Sequence, residues 1–423
     1  MLDIRYIREH KAEVLDMLKK RFKQERMKFV EEAIKIYDAW RELKQEADLL
    51  RQKRNQLSEE VNKLKKQGKD IQSTVKELKQ IPEKIKQLEE KDAQLQQQLQ
   101  EILKKIPNML DKEVPIAETE EGNKVLRTFG KKTKQKFVLK SHVDLLKELD
   151  LADIERAAKV SGARFYYLKN ELVELDFAII KFALDTLKKK GYILIRTPDL
   201  LRKSKMEGAA ELADFEETLY KIADEDVFLI GTAEQTLAAL HSDEVVTQLP
   251  LKYAGISECF RREAGAHGKD TKGIFRVHEF RKVEQFVYCD PKNSKKMQED
   301  MLKITEEIFK KLKLPYRVIS IASGVLNDTA IKKYDLEVWM PVQQEYREMV
   351  SCSNCTDYQA RKLNIRMQTR EGTIFPHLLN GTAVATPRIL AAILENYQQK
   401  DGSIKIPLVL QKYTGFKVIK AKK

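Results

Sequence analysis

Only four cysteines occur among the 423 residues, too few and too scattered for a disulfide framework in a chain this long. Two of them, in Cys352-Ser-Asn-Cys355, have a zinc-like spacing, but no second pair follows to complete four ligands. The six histidines show no metal-binding spacing, and His278 reads as sheet packing. No apolar run approaches the roughly 20 residues needed to span a bilayer, so no membrane partner is expected. The opening MLDIRYIREH lacks the apolar core of a signal peptide, and Asp3, Glu9 and Glu13 come too early for a transit peptide. A cytoplasmic protein is expected. A Gly-x-Gly-x-x-Gly or phosphate-loop lysine motif is also missing after every candidate strand, which argues against Rossmann and P-loop sites.

Charge is plentiful. Charged residues make up 34% of the chain and hydrophobic ones 42%, so the bulk folds, and a net charge of +14 suits a polyanionic partner. A generally basic proteome explains that charge equally well. The length suggests two domains. We place the boundary near residue 112, giving an N-terminal domain over 1–112 and a second over 113–423. Pro107 to Gly122, rich in acids and with two prolines, reads as the linker.

Trp40, Leu43, Ala47, Leu50, Arg54, Leu57, Val61 and Leu64 alternate by three and four, and Ile71, Val75, Leu78, Ile85, Leu88, Leu95, Leu99, Ile102 and Ile106 form a second series. This is heptad spacing. With Gly68 between the series, it predicts an antiparallel helical hairpin over about 30–106, interrupted and bent at Pro82. Lys63, Lys65, Lys66 and Lys69 cluster at its tip, and Arg51, Lys53 and Arg54 lie along its first helix. Such an arm either grips a phosphate backbone by charge or serves as a dimerisation coiled coil.

Beyond the linker, Leu172–Leu187 reads as a buried helix, ended by Gly191 and followed by a strand at Tyr192–Arg196. Leu251–Glu263 and Ile274–Tyr288 read as an antiparallel strand pair around the polar loop AGAHGKDTKG. Strand alternation then puts Arg276, His278, Phe280, Lys282 and Glu284 on one face, and Arg261 with Glu263 on one face of the partner. An aromatic ring among arginines and glutamates suits a nucleotide: ring on base, guanidinium on phosphate, carboxylate on amine. A solvent-exposed sheet face with cross-strand ion pairs is the alternative.

F-R-R-E, a glycine-containing loop and R-V-H-E-F-R-K-V-E-Q-F resemble motif 2 of the class II aminoacyl-tRNA synthetases, in the form carried by the seryl-tRNA synthetase family. G-T-A-E at 231–234 resembles that family's substrate loop, Y-R-E-M-V-S-C-S-N at 346–354 its metal-holding strand, and L-N-G-T-A-V-A-T-P-R-I-L-A-A-I-L-E at 379–395 motif 3. Motif 1 would be the helix and strand ending at Pro198. Two features depart from the pattern. Arg262 stands where serine is usual, and EGAAELADFEETLYKI lacks the usual Gly-Thr-Gly.

The resemblance implies an α+β protein: an antiparallel coiled-coil hairpin followed by a catalytic domain on an antiparallel sheet flanked by helices. It implies a homodimer that activates L-serine with ATP and Mg²⁺ and loads tRNA(Ser), with tRNA(Sec) open as a second acceptor. The arm would reach the long variable arm of a tRNA bound at the partner's active site. By the same resemblance Arg261, Glu284 and Arg388 are catalytic. ATP would meet Arg261, Arg262, Glu263, Arg276, Val277, Phe280, Glu348, Met349, Val350, Ser351 and Arg388. Serine would meet Thr232, Ala233, Glu234, Arg261, Glu284, Asn380 and Thr382, and the metal Glu348 and Ser351. Because three positions separate Glu348 from Ser351, a regular strand cannot aim both at one point, and a bulge or turn is required there. Thr386 is read as N-cap, Pro387 as first helical residue and Arg388 as first turn. A ligase that charges a carrier protein, or an RNA-binding scaffold without catalysis, are the competing readings.

Overall fold

The computed structural model describes residues 1–132, 136–210, 218–263, 270 and 272–420. They form two compact units, Met1–Pro107 and Asn108–Lys423.

The first unit is helical. Asp3 caps the opening helix Ile4–Glu9 by accepting from Arg5 N at 2.8 Å, and Ile7, Val14, Leu18, Val30 and Ala33 form a small buried core. Helices Met27–Lys66 and Gln72–Leu103 then pair along the two heptad series. Ala47, Ile81, Ile85, Leu88, Leu99 and Ile102 are buried on the stripe, whereas Arg54 is its exposed exception. Trp40 donates from Nε1 to Asp92 across the pair at 2.7 Å. The reversal follows from Gly68, whose φ of +68° suits a residue without Cβ. Lys69 N reaches back to Leu64 O at 3.0 Å and Gly68 N to Lys65 O at 3.3 Å, the paired bonds of a Schellman cap. The expected interruption at Pro82 is not found: the second helix runs unbroken past it. Pro82 lies on the exposed side, where water can satisfy the carbonyl that loses its donor. Lys63, Lys65, Lys66 and Lys69 are exposed at the tip, while Arg51 pairs with Asp48 and Glu89 and Lys53 with Glu77.

The second unit is built on an eight-stranded sheet. Its order is 124–129, 316–320, 332–340, 345–354, 377–385, 279–289, 251–260 and 193–196. Every neighbouring pair is antiparallel except the last, where Ile193–Arg196 runs parallel to Leu251–Phe260 at the edge. That one pair makes the sheet mixed where an antiparallel one is expected. Helices Glu171–Lys189, Ser294–Leu312 and Thr386–Tyr397 cover one face, burying Leu175, Ile179, Val283, Val287, Met301, Phe309, Val318, Leu336 and Leu390 in one core. Gln285 is a buried polar residue on that side: its Nε2 donates to Thr305 Oγ1 at 2.9 Å and Met301 O at 3.3 Å, while its Oε1 has no protein partner among the described residues. No helix among the described residues is long and apolar enough to cross a membrane.

The opposite face carries the cleft, and one glycine lets a helix close against the sheet there. Gly255 pairs with Glu284 in the ladder, and a Cβ there would lie 2.6 Å from Leu237 Cδ1 and 3.1 Å from Ala233 Cβ. The missing methyl lets helix Ala233–Ala239 lie against the strand. Gly255→Ala should therefore destabilise the protein by about 1–3 kcal/mol, through overpacking. Denaturant melts of the two proteins measure this, and equal midpoints would mean the contact relaxes freely.

Candidate active site

The site begins where the ladder of the central hairpin ends. Its strands pair from Leu251↔Tyr288 to Phe260↔Glu279 and no further. Arg261–Glu263 and Ile274–His278, expected as strand, lie outside it, and Glu263 takes φ +49°. Alternation therefore explains the common face of Phe280, Lys282 and Glu284 but not the positions of Arg261, Glu263, Arg276 and His278. These arrive by turn contacts. Arg261 N bonds His278 O at 2.9 Å, His278 Nδ1 donates to Arg261 O at 2.7 Å, and Arg276 forms an ion pair with Glu263. His278 thus braces the turn, with Phe165 5.3 Å from its ring, and does not pack in the sheet. Of the intervening loop, residues 264–269 and 271 lie outside the described residues, as do 211–217 of the atypical loop.

Two adjoining cavities, of about 290 and 590 Å³, share Arg261, Glu263, Arg276, Lys333, Glu348, Ser351 and Arg388 as walls. Val277, Phe280, Met349, Val350 and Thr382 line the smaller, and Thr232, Glu234 and Asn380 the larger. Most residues named from the sequence thus converge on one cleft. Three do not line it. Arg262 is exposed and turned to Thr218 O through its backbone N–H, while Ala233 and Glu284 are buried beneath the surface.

The required irregularity on strand Glu345–Asn354 is present. Leu336 pairs with Val350 and Glu337 with Glu348, so Met349 is the extra residue of a β-bulge. It brings Glu348 and Ser351 onto the same wall. The Glu348 side chain is 44% exposed to the cleft. Burial would raise its pKa, but solvent access weakens that effect. The cations Arg388, Lys333, Arg261 and Lys282 prevail and pull the carboxyl down to about 2. Arg388 is anchored to the same residue, with Nη1 3.0 Å from Glu348 O, and its guanidinium lies 5.5 Å from the Phe275 ring. Its helix starts at Thr386 without a side-chain cap: Ala385, not Thr386, holds the N-cap position, so Pro387 is the second helical residue where the first is expected, and Arg388 still falls in the first turn.

Below the larger cavity lies a polar cluster. Thr232 is the N-cap of helix Ala233–Ala239, its Oγ1 accepting from Glu234 N at 3.2 Å. Lys282 Nζ sits 2.5 Å from Glu284 Oε2 and 3.1 Å from Thr232 Oγ1. Thr382 Oγ1 donates to Glu284 at 3.4 Å, from a strand that bulges at Ala383 just beyond it. Glu284 is 1% exposed, so these partners are what make its burial tolerable. Sequence reasoning put Lys282 on the right face but gave it no role. It also passed over Lys333 and Phe275, which line the smaller cavity without belonging to a recognised motif position. Burial would lower the pKa of Lys333, but Asp335 and Glu348 hold it above its ordinary value. Glu234 accepts from Asn380 Nδ2 at 3.0 Å, and burial, then the charge of Glu284, push its pKa up to about 7.

Comparison with known proteins follows the same division. Residues 1–110 match the seryl-tRNA synthetase N-terminal domain, and residues 218–397 the tRNA synthetase class II core domain (G, H, P, S and T). The chain is 46% identical to the serine–tRNA ligase of Pyrococcus abyssi over 443 residues, covering 99% of this chain and 97% of that one. It is 51% identical to that of Nitrosopumilus maritimus over 314 residues, covering 73% and 75%. Among solved structures, seryl-tRNA synthetase from Pyrococcus horikoshii complexed with ATP superposes with TM-score 0.96 at 44% identity, over 100% of both chains. The cytoplasmic enzyme of Naegleria fowleri in complex with AMP gives 0.89 at 37%, over 100% and 99%.

The raised Glu234 has a consequence for stability. Its folded carboxyl takes a proton at about 7, against about 4.3 for an unfolded glutamate. Between those values the folded state holds more protons, so stability falls as pH rises. Glu234→Gln should remove that part of the slope, read from denaturation at pH 5 and pH 8. An unchanged slope would mean that Glu234 ionises normally.

Proposed function

The chain belongs to the seryl-tRNA synthetase family, and from that premise we propose how its cleft activates L-serine with ATP and passes the seryl group to tRNA(Ser). The observation that carries the reading is the convergence of Arg261, Glu263, Arg276, Phe280, Glu348, Ser351 and Arg388 on one cleft, beside the polar cluster of Thr232, Lys282, Glu284 and Thr382.

In this reading a serine carboxylate oxygen attacks the α-phosphorus of ATP. The bond to the β-phosphate oxygen breaks, and pyrophosphate leaves. The 3′-hydroxyl of the terminal adenosine then attacks the acyl carbon and AMP departs. Neither step needs a protein nucleophile, so the residues act by positioning and by charge. Arg261 bonds Gly231 O at 3.1 Å and lies 5.4 Å from the Phe280 ring, a location from which its fork would bridge the serine carboxylate and the α-phosphate. Phe280 would stack on adenine, Glu263 would accept from the adenine amine, and Arg276 would turn from Glu263 to the outer phosphates. Arg388 would cover base and phosphates. Glu284 would take the serine ammonium, with Thr232, Thr382 and Asn380 around the hydroxyl.

The residues present fit Mg²⁺. Glu348 is held ionised and open to the cleft, with the Ser351 hydroxyl on the same wall. Two protein oxygens leave the other positions to phosphate and water, as magnesium at nucleotide sites prefers. When bound, the ion neutralises charge on the phosphates.

Exposed apolar residues support a homodimer: Ile193 on the edge strand is 56% exposed, Leu200 just after it 47%, and Phe177 on helix Glu171–Lys189 54%. The arm would hold tRNA by charge, the exposed pairs of Arg51 and Lys53 yielding to phosphate. A cytoplasmic location suits these partners.

Amino-acid-dependent ATP–pyrophosphate exchange, followed by charging of tRNA(Ser) and tRNA(Sec), tests this reading. Exchange with serine alone supports it, while exchange with glycine or alanine favours a carrier ligase and none at all a scaffold. Arg261→Ala should lower serine-dependent exchange by roughly 10²–10³-fold with the fold intact. Near-normal exchange would refute its role. Replacing Lys63, Lys65, Lys66 and Lys69 together by alanine should leave exchange unchanged. It should also weaken tRNA binding and flatten its salt dependence by up to about 0.7–0.9 per lost contact. An unaltered salt slope would remove the arm tip from the RNA interface.

A further inference from the structure

Gln359 lies in the short helix Tyr358–Lys362, outside the recognised motif segments, and is fully buried. Its side-chain amide donates twice. One bond, of 2.8 Å, goes to Ala209 O, a carbonyl at the end of helix Lys203–Ala209 with no partner inside that helix. The other, of 3.3 Å, goes to Glu234 Oε1. The two helices are pressed together, since a Cβ on Gly208 would lie 2.4 Å from Leu363 Cδ2. Asn380 Nδ2 donates to the same Glu234 oxygen at 3.0 Å. Oε1 is thus held by two amides from two separate elements, and Oε2 is left for a ligand on the wall of the larger cavity.

We propose that Gln359 is a positioning residue for serine recognition: with Asn380 it pins one oxygen of Glu234 so that the other is presented to a polar hydrogen of the amino acid. This rests on the reading that Glu234 lines the serine site. A carboxylate in a buried setting can turn about its terminal torsion, which is broad and two-fold. Two N–H groups on one oxygen remove that freedom and favour the charged form. The charged groups facing Glu234 are Glu284, Lys282 and Arg261. None of them belongs to the helix that carries Gln359, so the amide is a separate support. Gln359 touches no reacting atom, and its effect should appear in serine binding, not in the handling of ATP.

The test is steady-state pyrophosphate exchange on the full chain, with serine and ATP varied separately. Gln359→Met keeps the length and removes both donors. It should raise the KM for serine about tenfold while the KM for ATP stays within about twofold. Gln359→Glu keeps the shape and turns a donor into an acid. Its serine KM, relative to the unaltered protein, should climb from pH 6 to pH 8.5 as the new carboxylate ionises beside Glu234. Glu234→Gln is the control. If it leaves the serine KM unchanged, Glu234 does not meet serine, and both the site reading and this proposal fall. If Glu234→Gln raises the serine KM but Gln359→Met does not, the proposal alone is overturned. Serine KM, ATP KM and kcat all worsening together, with no pH trend in Gln359→Glu, would reduce Gln359 to a packing role and overturn it too.

Discussion

Alternation along a strand is the constraint on which the rest of this structure depends. From Val283 to Cys289 every second side chain of strand Glu279–Cys289 points into the core beneath helices Glu171–Lys189, Ser294–Leu312 and Thr386–Tyr397, and the intervening ones point to the other face. Val283, Gln285 and Val287 take the first set of positions, Phe280, Lys282 and Glu284 the second. A one-residue slip would drive a glutamate and a lysine into the large apolar cluster beneath the covering helices. The register of the cleft is therefore enforced from behind, by hydrophobic burial that has no chemical role of its own.

Function asks for departures from that rule, and each has a local device. Met349 is surplus to its ladder, so Glu348 and Ser351 share a wall although three positions separate them. Ala383 does the same beside Thr382. At the hairpin mouth the ladder stops at Phe260↔Glu279, which frees Arg261, Glu263 and Arg276 to converge by turn contacts. These irregularities sit around the cleft, while the strand positions that face the core hold the site rigid.

The helical arm was legible because its information is local: heptad spacing and a glycine at the reversal specify the pair. Only the effect of Pro82 was misjudged, since spacing does not tell which side of the helix meets water. The bulge was legible as a contradiction, because the two residues the resemblance assigns to the metal stand at an odd spacing on one strand. The limits of the hairpin strands were not, as period-two alternation continues by chance through Arg276 and His278. Lys282 was visible on its face, yet its 2.5 Å contact with Glu284 depends on how a long side chain folds back. Gln359 left no trace at all. Its partners Ala209 and Glu234 lie 150 and 125 residues away, and nothing in a single sequence reports such a meeting.

The Lys282–Glu284 contact also says what kind of event substrate binding would be. The carboxylate assigned to the incoming amine already holds an ammonium, tethered to the same strand two residues away. Serine would not fill an electrostatic vacancy. It would displace or share with a permanent internal competitor whose local concentration never falls. Such an exchange would conserve charge at the buried carboxylate throughout the cycle, and Glu284 would not be left bare when product departs. On the proposed reading affinity would be given up for that protection, and discrimination would rest on the neighbouring hydroxyl and amide contacts and not on the strength of the ion pair.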